Sequence, residues 1–495
     1  MNLIFIFLIS IQISLIQSDT LSFQENLFKT ILQKDKGKNI LISPFSIYQI
    51  LALTSNGAAE ETLEEMLKVL IPYKNIDNEI QNTLNLNLID IIKKITPKEE
   101  IKNDNENNNE DNEEFITPIE EISFDCEGEC DVKFENANGI FVKKGFSILN
   151  EFSLICNNYK VESSELESVT QVNNWINNKT HTKIPSVLPE NYDISNVALL
   201  LVNAIYFKGS WEHKFRQKTE NMKFKNYDNQ IIQVETMYNS LEYIPYYEDE
   251  KIQMISLPYV SLETNYEMVI ILPKDNKYSS SYDYLNNENV NFTKLISKLK
   301  LADEVELYLP KFEFEYENSL NEVLIEMGME KPFSEEANFN KINEENKLFI
   351  GDILHKTFIK VNQNGTEAAA ATVISQMATS APPEEIERYY MYVNHSFIFL
   401  IIRDSIKDSD YNNLILFLGT VNNLNSSKSE NNDNNYENND INDDEKNDTN
   451  GNDNNDSINQ KEENSKDITV NITQNEGNGV YIIKVYSLLF LIIIL

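Results

Sequence analysis

The side chains that most often carry catalysis are few in this chain. It has four histidines and three cysteines, scattered along 495 residues, and it lacks the Gly-x-Ser-x-Gly motif of a serine hydrolase. Cys126 and Cys130 stand close enough for a local disulfide, which leaves Cys156 over. A metal site would need more ligands than two cysteines. We therefore predict no enzyme, no metal site and no cofactor.

The most distinctive pattern is a run of small, nearly uncharged residues. It reads Gly365, Thr366, Glu367, Ala368, Ala369, Ala370, Ala371 and Thr372. Alanine favours helix, yet the β-branched Val373 and Ile374 follow, and Pro382-Pro383 ends any regular element. Small side chains are what a strand needs if it enters a sheet covered on both faces, because bulky or charged groups would be excluded. We interpret the run as a segment that changes its structural state.

The net charge of −37 is concentrated in two Asn-rich stretches. Residues 98–131 hold 14 acidic side chains against 2 basic ones, and residues 428–467 hold 13 against 4. Such segments bury too little apolar surface to offset the entropy of ordering, so we predict a disordered acidic insert at 97–131 and a disordered tail at 425–478. No basic stripe exists to neutralise phosphates, which argues against nucleic acid as a partner.

Both termini are apolar. Residues 1–18 resemble a secretory signal peptide, with an uncleaved anchor as the alternative. The C-terminal residues 479–495 suit either a lipid-anchor signal or a short tail anchor interrupted by Lys484. We expect a secreted, extracellular protein that could be attached to the cell surface. Eight Asn-x-Ser/Thr sequons are compatible with a glycoprotein, although several would arise by chance in so Asn-rich a chain.

Helical periodicity dominates the first part of residues 19–424, and strand patterns dominate the rest. Apolar spacing predicts helices between residues 20 and 95, with a break at Ser43-Pro44, and again at 146–159 and 169–178. The continuous apolar run Val197 to Phe207 predicts a strand buried on both faces. Further strands are expected at 253–258, 267–272, 305–314, 397–402 and 414–421. Helices first and strands later indicate an α+β domain.

Seven motifs, in order, resemble the serpin family. They are Asn39 to Ile47, Asn203 to Trp211, Leu309 to Phe312, Met327 to Met329, His355 to Asn362, Gly365 to Thr372, and the closing pair His395 to Phe399 with Phe417 to Val421. The resemblance implies the serpin fold, with three β-sheets, eight to nine helices and an exposed reactive loop at 362–385. It also implies a monomer whose partner is a protease.

The resemblance further implies a mechanism. A protease cleaves the reactive loop and becomes covalently attached, and the hinge, residues 365–372, inserts into the main sheet as a strand. Side chains alternate along a strand, so Thr366, Ala368, Ala370, Thr372 and Ile374 would point inward and none of them is charged. Small residues at the hinge favour an inhibitor over the alternative, a non-inhibitory carrier or chaperone.

Family spacing places the cleaved bond between Thr379 and Ser380. Thr379 is small and suits a shallow apolar pocket of the elastase type, with cleavage after Met377 or Ala378 as the neighbouring alternative. No Arg or Lys lies between Gly365 and Ala381, which argues against a trypsin-like target. Inhibition of a cysteine protease stays open.

Other residues take their roles from the resemblance. Ser43, Ser46, Asn203 and His355 match a polar cluster beneath the opening sheet, the shutter. Trp211 matches an aromatic residue at the top of that sheet, the breach.

Three features depart from the family. The sequon at Asn364 could carry a glycan that hinders insertion, and Ser396 stands where proline is usual. The insert at 97–131 falls about where the family's cofactor-binding helix lies. Lys93 and Lys94 are nearly the only basic residues there, which argues against activation by heparin.

Overall fold

The computed structural model describes residues 21–72, 78–95, 132–261, 265–345, 348–367, 386–404 and 413–426. The chain divides into two units, Met1–Ser429 and Glu430–Leu495, and all described residues belong to the first. Several predicted features lie outside the described residues: both terminal segments, the acidic insert at 97–131 with Cys126 and Cys130, the hinge from Ala368 to Thr372, and the Thr379-Ser380 bond.

The described residues contain nine α-helices. They are α1 (21–34), α2 (Pro44–Gly57), α3 (Glu60–Leu70), α4 (Asn78–Ile95), α5 (Asn150–Asn158), α6 (Val169–Lys179), α7 (Ser281–Asn287), α8 (Phe292–Ile296) and α9 (Asn321–Glu326). The predicted break at Ser43-Pro44 is the start of α2, where the Ser43 hydroxyl accepts a hydrogen bond from the Ser46 amide at 3.4 Å. Proline at the first helical position suits this cap, since its missing N–H would have no partner there.

Fifteen strands are described. They are β1 (Ile40–Ile42), β2 (Lys133–Lys143), β3 (Glu162–Leu166), β4 (Leu199–Ser210), β5 (Glu220–Lys225), β6 (Ile231–Glu248), β7 (Ile252–Pro258), β8 (Asn265–Pro273), β9 (Lys300–Pro310), β10 (Phe312–Ser319), β11 (Ile350–Asn362), β12 (Gly365–Thr366), β13 (Arg388–Tyr392), β14 (Phe397–Asp404) and β15 (Leu414–Val421). The strand pattern at 305–314 has Pro310 near its middle, which predicts a stop there. The structure ends β9 at Pro310 and begins β10 at Phe312, and the two strands belong to different sheets.

The strands pair into two continuous sheets. One has six strands in the order β10-β11-β12-β4-β2-β3, and the other has nine, running β1-β15-β14-β8-β7-β6-β9-β13 with β5 added on β6. The long strand β6 pairs with β5 and β9 along most of its length and with β7 at its end, so two of the three sheets expected from the resemblance are joined through it.

Both faces of the six-stranded sheet are covered. Leu201, Ile205 and Phe207 of β4 belong to the main apolar core between the sheets. The alternate residues Leu200, Val202 and Ala204 belong to a second cluster with α6. The apolar run of β4 therefore follows from burial on both sides, as predicted.

Candidate functional site

The start of the hinge already lies within the six-stranded sheet. Strands β4 and β11 are parallel neighbours over Leu199–Ile205 and Ile350–Thr357. At their far ends they diverge, and β12 fills the gap by pairing antiparallel with both. Thr366 stands opposite Val361 on one side and Gly209 on the other. The hinge thus enters the sheet at one end of the β4–β11 seam.

Thr366 is anchored to the core through Tyr259. Its side chain is 1% exposed, and its Oγ1 lies 2.7 Å from Tyr259 Oη. Burial raises the pKa of Tyr259, so the group stays a neutral phenol that can donate this hydrogen bond. Gly209 allows the ring to approach, because a Cβ at that position would lie 2.8 Å from Tyr259 Cδ1. The hinge therefore begins with a buried, hydrogen-bonded threonine.

Trp211 closes the same end of the sheet. Its ring stacks on Tyr259 with centroids 4.5 Å apart and planes 16° apart. Its Nε1 donates to the Asn362 carbonyl at 2.9 Å, and its amide donates to the Asn364 carbonyl at 2.9 Å. Trp211 thus holds the turn that leads from β11 into β12.

Glu367 is the point at which the hinge leaves the described residues. Its amide donates to the Lys360 carbonyl at 2.9 Å, its φ is +56°, and its side chain is only 3% exposed. Lys183 Nζ lies 3.0 Å from its Oε1, although neither carboxylate oxygen accepts a hydrogen bond of good geometry. Left-handed backbone is uncommon outside glycine. Glu367 therefore has a strained backbone conformation. Its carboxylate is also buried, with the Lys183 ammonium as the cation that offsets its charge.

The predicted shutter residues meet beneath the seam. Asn203 of β4 and His355 of β11 are register partners, and His355 Nδ1 lies 2.5 Å from Asn203 Oδ1. The Ser43 amide donates to His355 Nε2 at 3.4 Å, and Asn203 Nδ2 donates to Ser46 Oγ. Hydrogen bonds therefore join β4, β11 and the start of α2.

Burial keeps His355 neutral. It lowers the pKa of the imidazole to about 3, and a backbone hydrogen bond with Leu41 opposes this only in part. With Nε2 accepting from Ser43, the proton belongs on Nδ1, facing the Asn203 carbonyl oxygen. A neutral ring can accept and donate at once, which the network requires.

Sequence reasoning missed several partners of this site. Asn138 and Asn136 of β2 extend the network, since Ser46 Oγ lies 3.3 Å from Asn138 Oδ1 and also donates to Asn136. Tyr259 and Lys183 lie far from the hinge in sequence, and nothing in their local pattern marks them. Ser396, where proline is usual in the family, is buried and accepts a hydrogen bond from the Ser281 amide at 3.0 Å.

Two negative findings apply to the described part of the chain. No three His, Cys, Asp or Glu side chains there lie together as ligands for a metal ion. Within the same residues, no helix is both long and apolar enough to cross a membrane.

Comparisons with known proteins agree with this architecture. Residues 18–424 match the family described as "Serpin (serine protease inhibitor)". Plasminogen activator inhibitor 2 of Homo sapiens is 30% identical over 422 residues, which cover 80% of this chain and 96% of that protein. Leukocyte elastase inhibitor of Sus scrofa is 29% identical over 415 residues, with the same two coverages.

A solved structure gives the same result. The thermophilic serpin Tengpin, in its native state, has a TM-score of 0.65 and 29% identity, covering 82% of this chain and 93% of that one. The chain belongs to the serpin family, so the predicted family and α+β fold are confirmed. Its relatives include proteins named as inhibitors of plasminogen activator and of leukocyte elastase.

Proposed function

We propose that this serpin is a suicide-substrate inhibitor of a serine endopeptidase with a small apolar pocket, cleaved between Thr379 and Ser380. The observation that carries the proposal is the position of Gly365 and Thr366 between β4 and β11, in register with both strands. The hinge already pairs with β4 and with β11. Its further residues could therefore extend this existing pairing and would not have to start a new strand.

The chemistry would be that of interrupted proteolysis. The protease's serine oxygen attacks the Thr379 carbonyl carbon, and the bond to the Ser380 nitrogen breaks. That nitrogen takes the proton from the serine hydroxyl, through the protease's own base, and leaves as the amine of a C-terminal fragment. An ester then joins Thr379 to the protease. If the hinge inserts into the sheet before water hydrolyses this ester, the protease would remain covalently trapped.

The register supports this cleavage position. Each step along β12 away from Thr366 moves one residue back along β4, so continued pairing would bring Gln376 opposite Leu199, where β4 begins. Cleavage after Thr379 would free a segment long enough to run the full length of β4. Only a few residues would then remain between the end of the inserted strand and the protease.

Both side-chain sets of the inserted strand would be covered. Antiparallel partners share a face, so Ala368 and Ala370 would join Phe207 and Ile205 in the main core. The odd-numbered residues would lie on the face that Leu200, Val202 and Ala204 share with α6. Small residues on both faces, rather than on one alone, fit this requirement.

The shutter would control how readily the seam opens. Insertion must break the β4–β11 pairing, including the Asn203–His355 contact, and each edge would regain its hydrogen bonds from the inserted strand. Continuing the same register places Thr372 opposite Asn203. A hydroxyl at that position could replace some of the contacts that His355 gives up.

Target specificity is proposed from Thr379 alone. A small β-branched side chain fits a shallow apolar pocket, and the loop offers no basic residue to a trypsin-like enzyme. The relatives are named for different target proteases, so similarity does not choose among them. A cysteine protease is the second candidate target, and a non-inhibitory carrier is the second candidate function.

Secretion belongs to the same proposal. The apolar residues 1–18 would direct the chain out of the cell, and residues 479–495 could attach it to the outer surface. Expression of the full chain in a eukaryotic secretory cell tests this. Protein recovered in the medium, or released from the surface by a lipid-cleaving enzyme, supports it, whereas cytosolic retention contradicts it.

The inhibitory function is tested by mixing the purified chain with pancreatic elastase, trypsin and papain. We expect a denaturant-stable complex with elastase and a released peptide that begins at Ser380. The control variant Thr379→Arg should move complex formation from elastase to trypsin. Cleavage of the loop without any stable complex would contradict an inhibitory role.

A further inference from the structure

A cavity opens at the rim of the six-stranded sheet, where side chains of α5, α6 and the edge strand β3 meet. Its volume is about 280 Å³, and we call it the rim cavity. Pockets for drug-sized ligands have volumes of about 300–1,000 Å³, so the rim cavity has room for one small ring. In the sheet order, β2 lies between β3 and β4. The cavity is therefore separate from the seam that receives the hinge.

Polar side chains line two sides of the rim cavity. Ser153 and Asn157 stand four residues apart on α5 and so project from the same face of that helix. Ser164 lies on β3. Within the described part of the chain, none of these three side chains forms a hydrogen bond. Serine hydroxyls and the asparagine amide can each donate and accept, so they are available to a ligand.

Trp175 of α6 gives the rim cavity a rigid aromatic wall. Its ring packs edge to face on Phe141, with centroids 5.5 Å apart and planes 83° apart. Gly139 lets the indole approach β2, because a Cβ at that position would lie 2.9 Å from Trp175 Cη2. The Nε1 atom donates to Glu162 Oε2 at 2.7 Å. The half-buried ring is thus held in one orientation while it lines the cavity.

The charge at the rim cavity is balanced. Glu162 is the one charged side chain among the described residues that line it. The other carboxylate oxygen of Glu162 pairs with the Lys179 ammonium, so the two side chains together carry no net charge. A charged ligand would lose its hydration here without gaining a counter-charge. The cavity therefore suits a neutral ligand with several hydrogen-bonding groups.

We infer that the rim cavity binds a terminal pyranose ring of a glycan. The C–H groups on one face of such a ring would pack on the Trp175 indole. The hydroxyl groups around its edge would pair with Ser153, Asn157 and Ser164. A flat aromatic ligand of the same size has too few polar groups to satisfy all three side chains. Because the cavity opens to solvent, the rest of the glycan would extend outward.

Tryptophan fluorescence tests this site directly. The chain has two tryptophans, and Trp211 is 1% exposed, so Trp175 is the one that a ligand in the rim cavity would contact. The full chain is titrated with the methyl glycosides of glucose, galactose, mannose and N-acetylglucosamine. We expect at least one of them to change the emission saturably, with a dissociation constant of about 1 mM for a single ring.

Two variants locate the bound sugar. Asn157→Leu should weaken binding about tenfold, because it removes the amide from the cavity. Its matched control is Asn158→Leu, which changes the exposed neighbour on the same helix and should bind like the wild type. Ser164→Val, which suits a strand, gives a second reading if Asn157→Leu folds poorly.

Two results would overturn the sugar site. One is the absence of any saturable change with all four glycosides at concentrations well above 1 mM. The other is wild-type affinity in both Asn157→Leu and Ser164→Val. Neither result bears on protease inhibition, because the rim cavity and the hinge lie on different strands of the sheet.

Discussion

Thr366 Oγ1 lies 2.7 Å from Tyr259 Oη, with both side chains buried at the end of the six-stranded sheet. This contact ties the beginning of the reactive loop to the apolar core while β4 and β11 are still paired below it. The loop is therefore held at the entrance to the seam, and its further insertion depends on what its next residues can bury.

A charge at position 366 should convert the inhibitor into a substrate. In Thr366→Arg the guanidinium would have to be buried beside Tyr259 without a partner, at a cost of several kcal/mol. Insertion of the loop would then be slower than hydrolysis of the acyl-enzyme, which releases active protease. We expect the moles of serpin consumed per mole of protease to rise about tenfold or more.

The matched control is Thr366→Val, which keeps the shape and loses one hydrogen bond worth about 1 kcal/mol. It should retain most of its inhibition. Equal stoichiometry for the arginine and valine variants would contradict burial of position 366 during trapping.

Lys183 should hold the hinge through Glu367. Removing the ammonium in Lys183→Met leaves the Glu367 carboxylate desolvated with no cation near it. Because Lys183 is 43% exposed, the pair is worth only about 1 kcal/mol. We expect faster hydrogen exchange at the amides of Thr366 and Glu367, as the hinge leaves the sheet more often.

A double-mutant cycle separates the pair from general damage. Adding Glu367→Gln to Lys183→Met should restore much of the protection, since no buried charge is then left unpaired. Purely additive effects of the two substitutions would show that the ion pair does not hold the hinge.

Much of the fold can be predicted from the sequence, because apolar periodicity and turn residues are local signals of helices, strands and their ends. The run Val197 to Phe207 predicts a strand buried on both faces, and the structure places its alternate residues in two separate apolar clusters. The site is less accessible to sequence reasoning. His355 meets Asn203 only because β4 and β11 are register partners across some 150 residues, and Tyr259 reaches Thr366 only through the fold.

Glu367 illustrates the limit most clearly. Because side chains alternate along a strand, the Glu367 side chain points away from the main core. If only one face of the sheet were covered, its charge would lie at the protein surface. The sheet is covered on both faces, and the side chain is 3% exposed. On the second face its carboxylate meets Lys183, which follows α6 in the chain, and no local pattern at Glu367 indicates that contact.

His355 should make stability depend on pH. Its pKa is about 3 in the folded protein against an ordinary 6.5, so between these values the unfolded chain binds more protons than the native one. The free energy of unfolding should therefore fall as the pH drops below about 6.5. Full protonation of the unfolded imidazole would make this loss about 1.4 kcal/mol per pH unit, or about 2 kcal/mol by pH 5.

Urea unfolding of the wild type and of His355→Gln at pH 7 and pH 5 checks this. The variant should be less stable at pH 7, because its network is broken, but should lose less stability on acidification. Identical pH dependence in the two proteins would contradict a buried neutral His355.

A bulky residue in the odd-numbered set should also impair trapping. Ala371→Trp would place an indole on the face shared with α6, where Val202 and Ala204 leave little room. We expect cleavage at an unchanged rate and a several-fold smaller yield of stable complex. Ala381→Trp, beyond the cleaved bond, is the matched control and should leave the yield per cleavage unchanged.

The central claim is that the hinge becomes a strand between β4 and β11. The most direct measurement is a crystal structure of the chain after cleavage of its reactive loop. We predict a strand that continues antiparallel from Thr366 along both neighbours, with Thr372 opposite Asn203 and the Asn203–His355 contact broken. A cleaved protein in which β4 and β11 remain paired over Leu199–Ile205 and Ile350–Thr357 would contradict it.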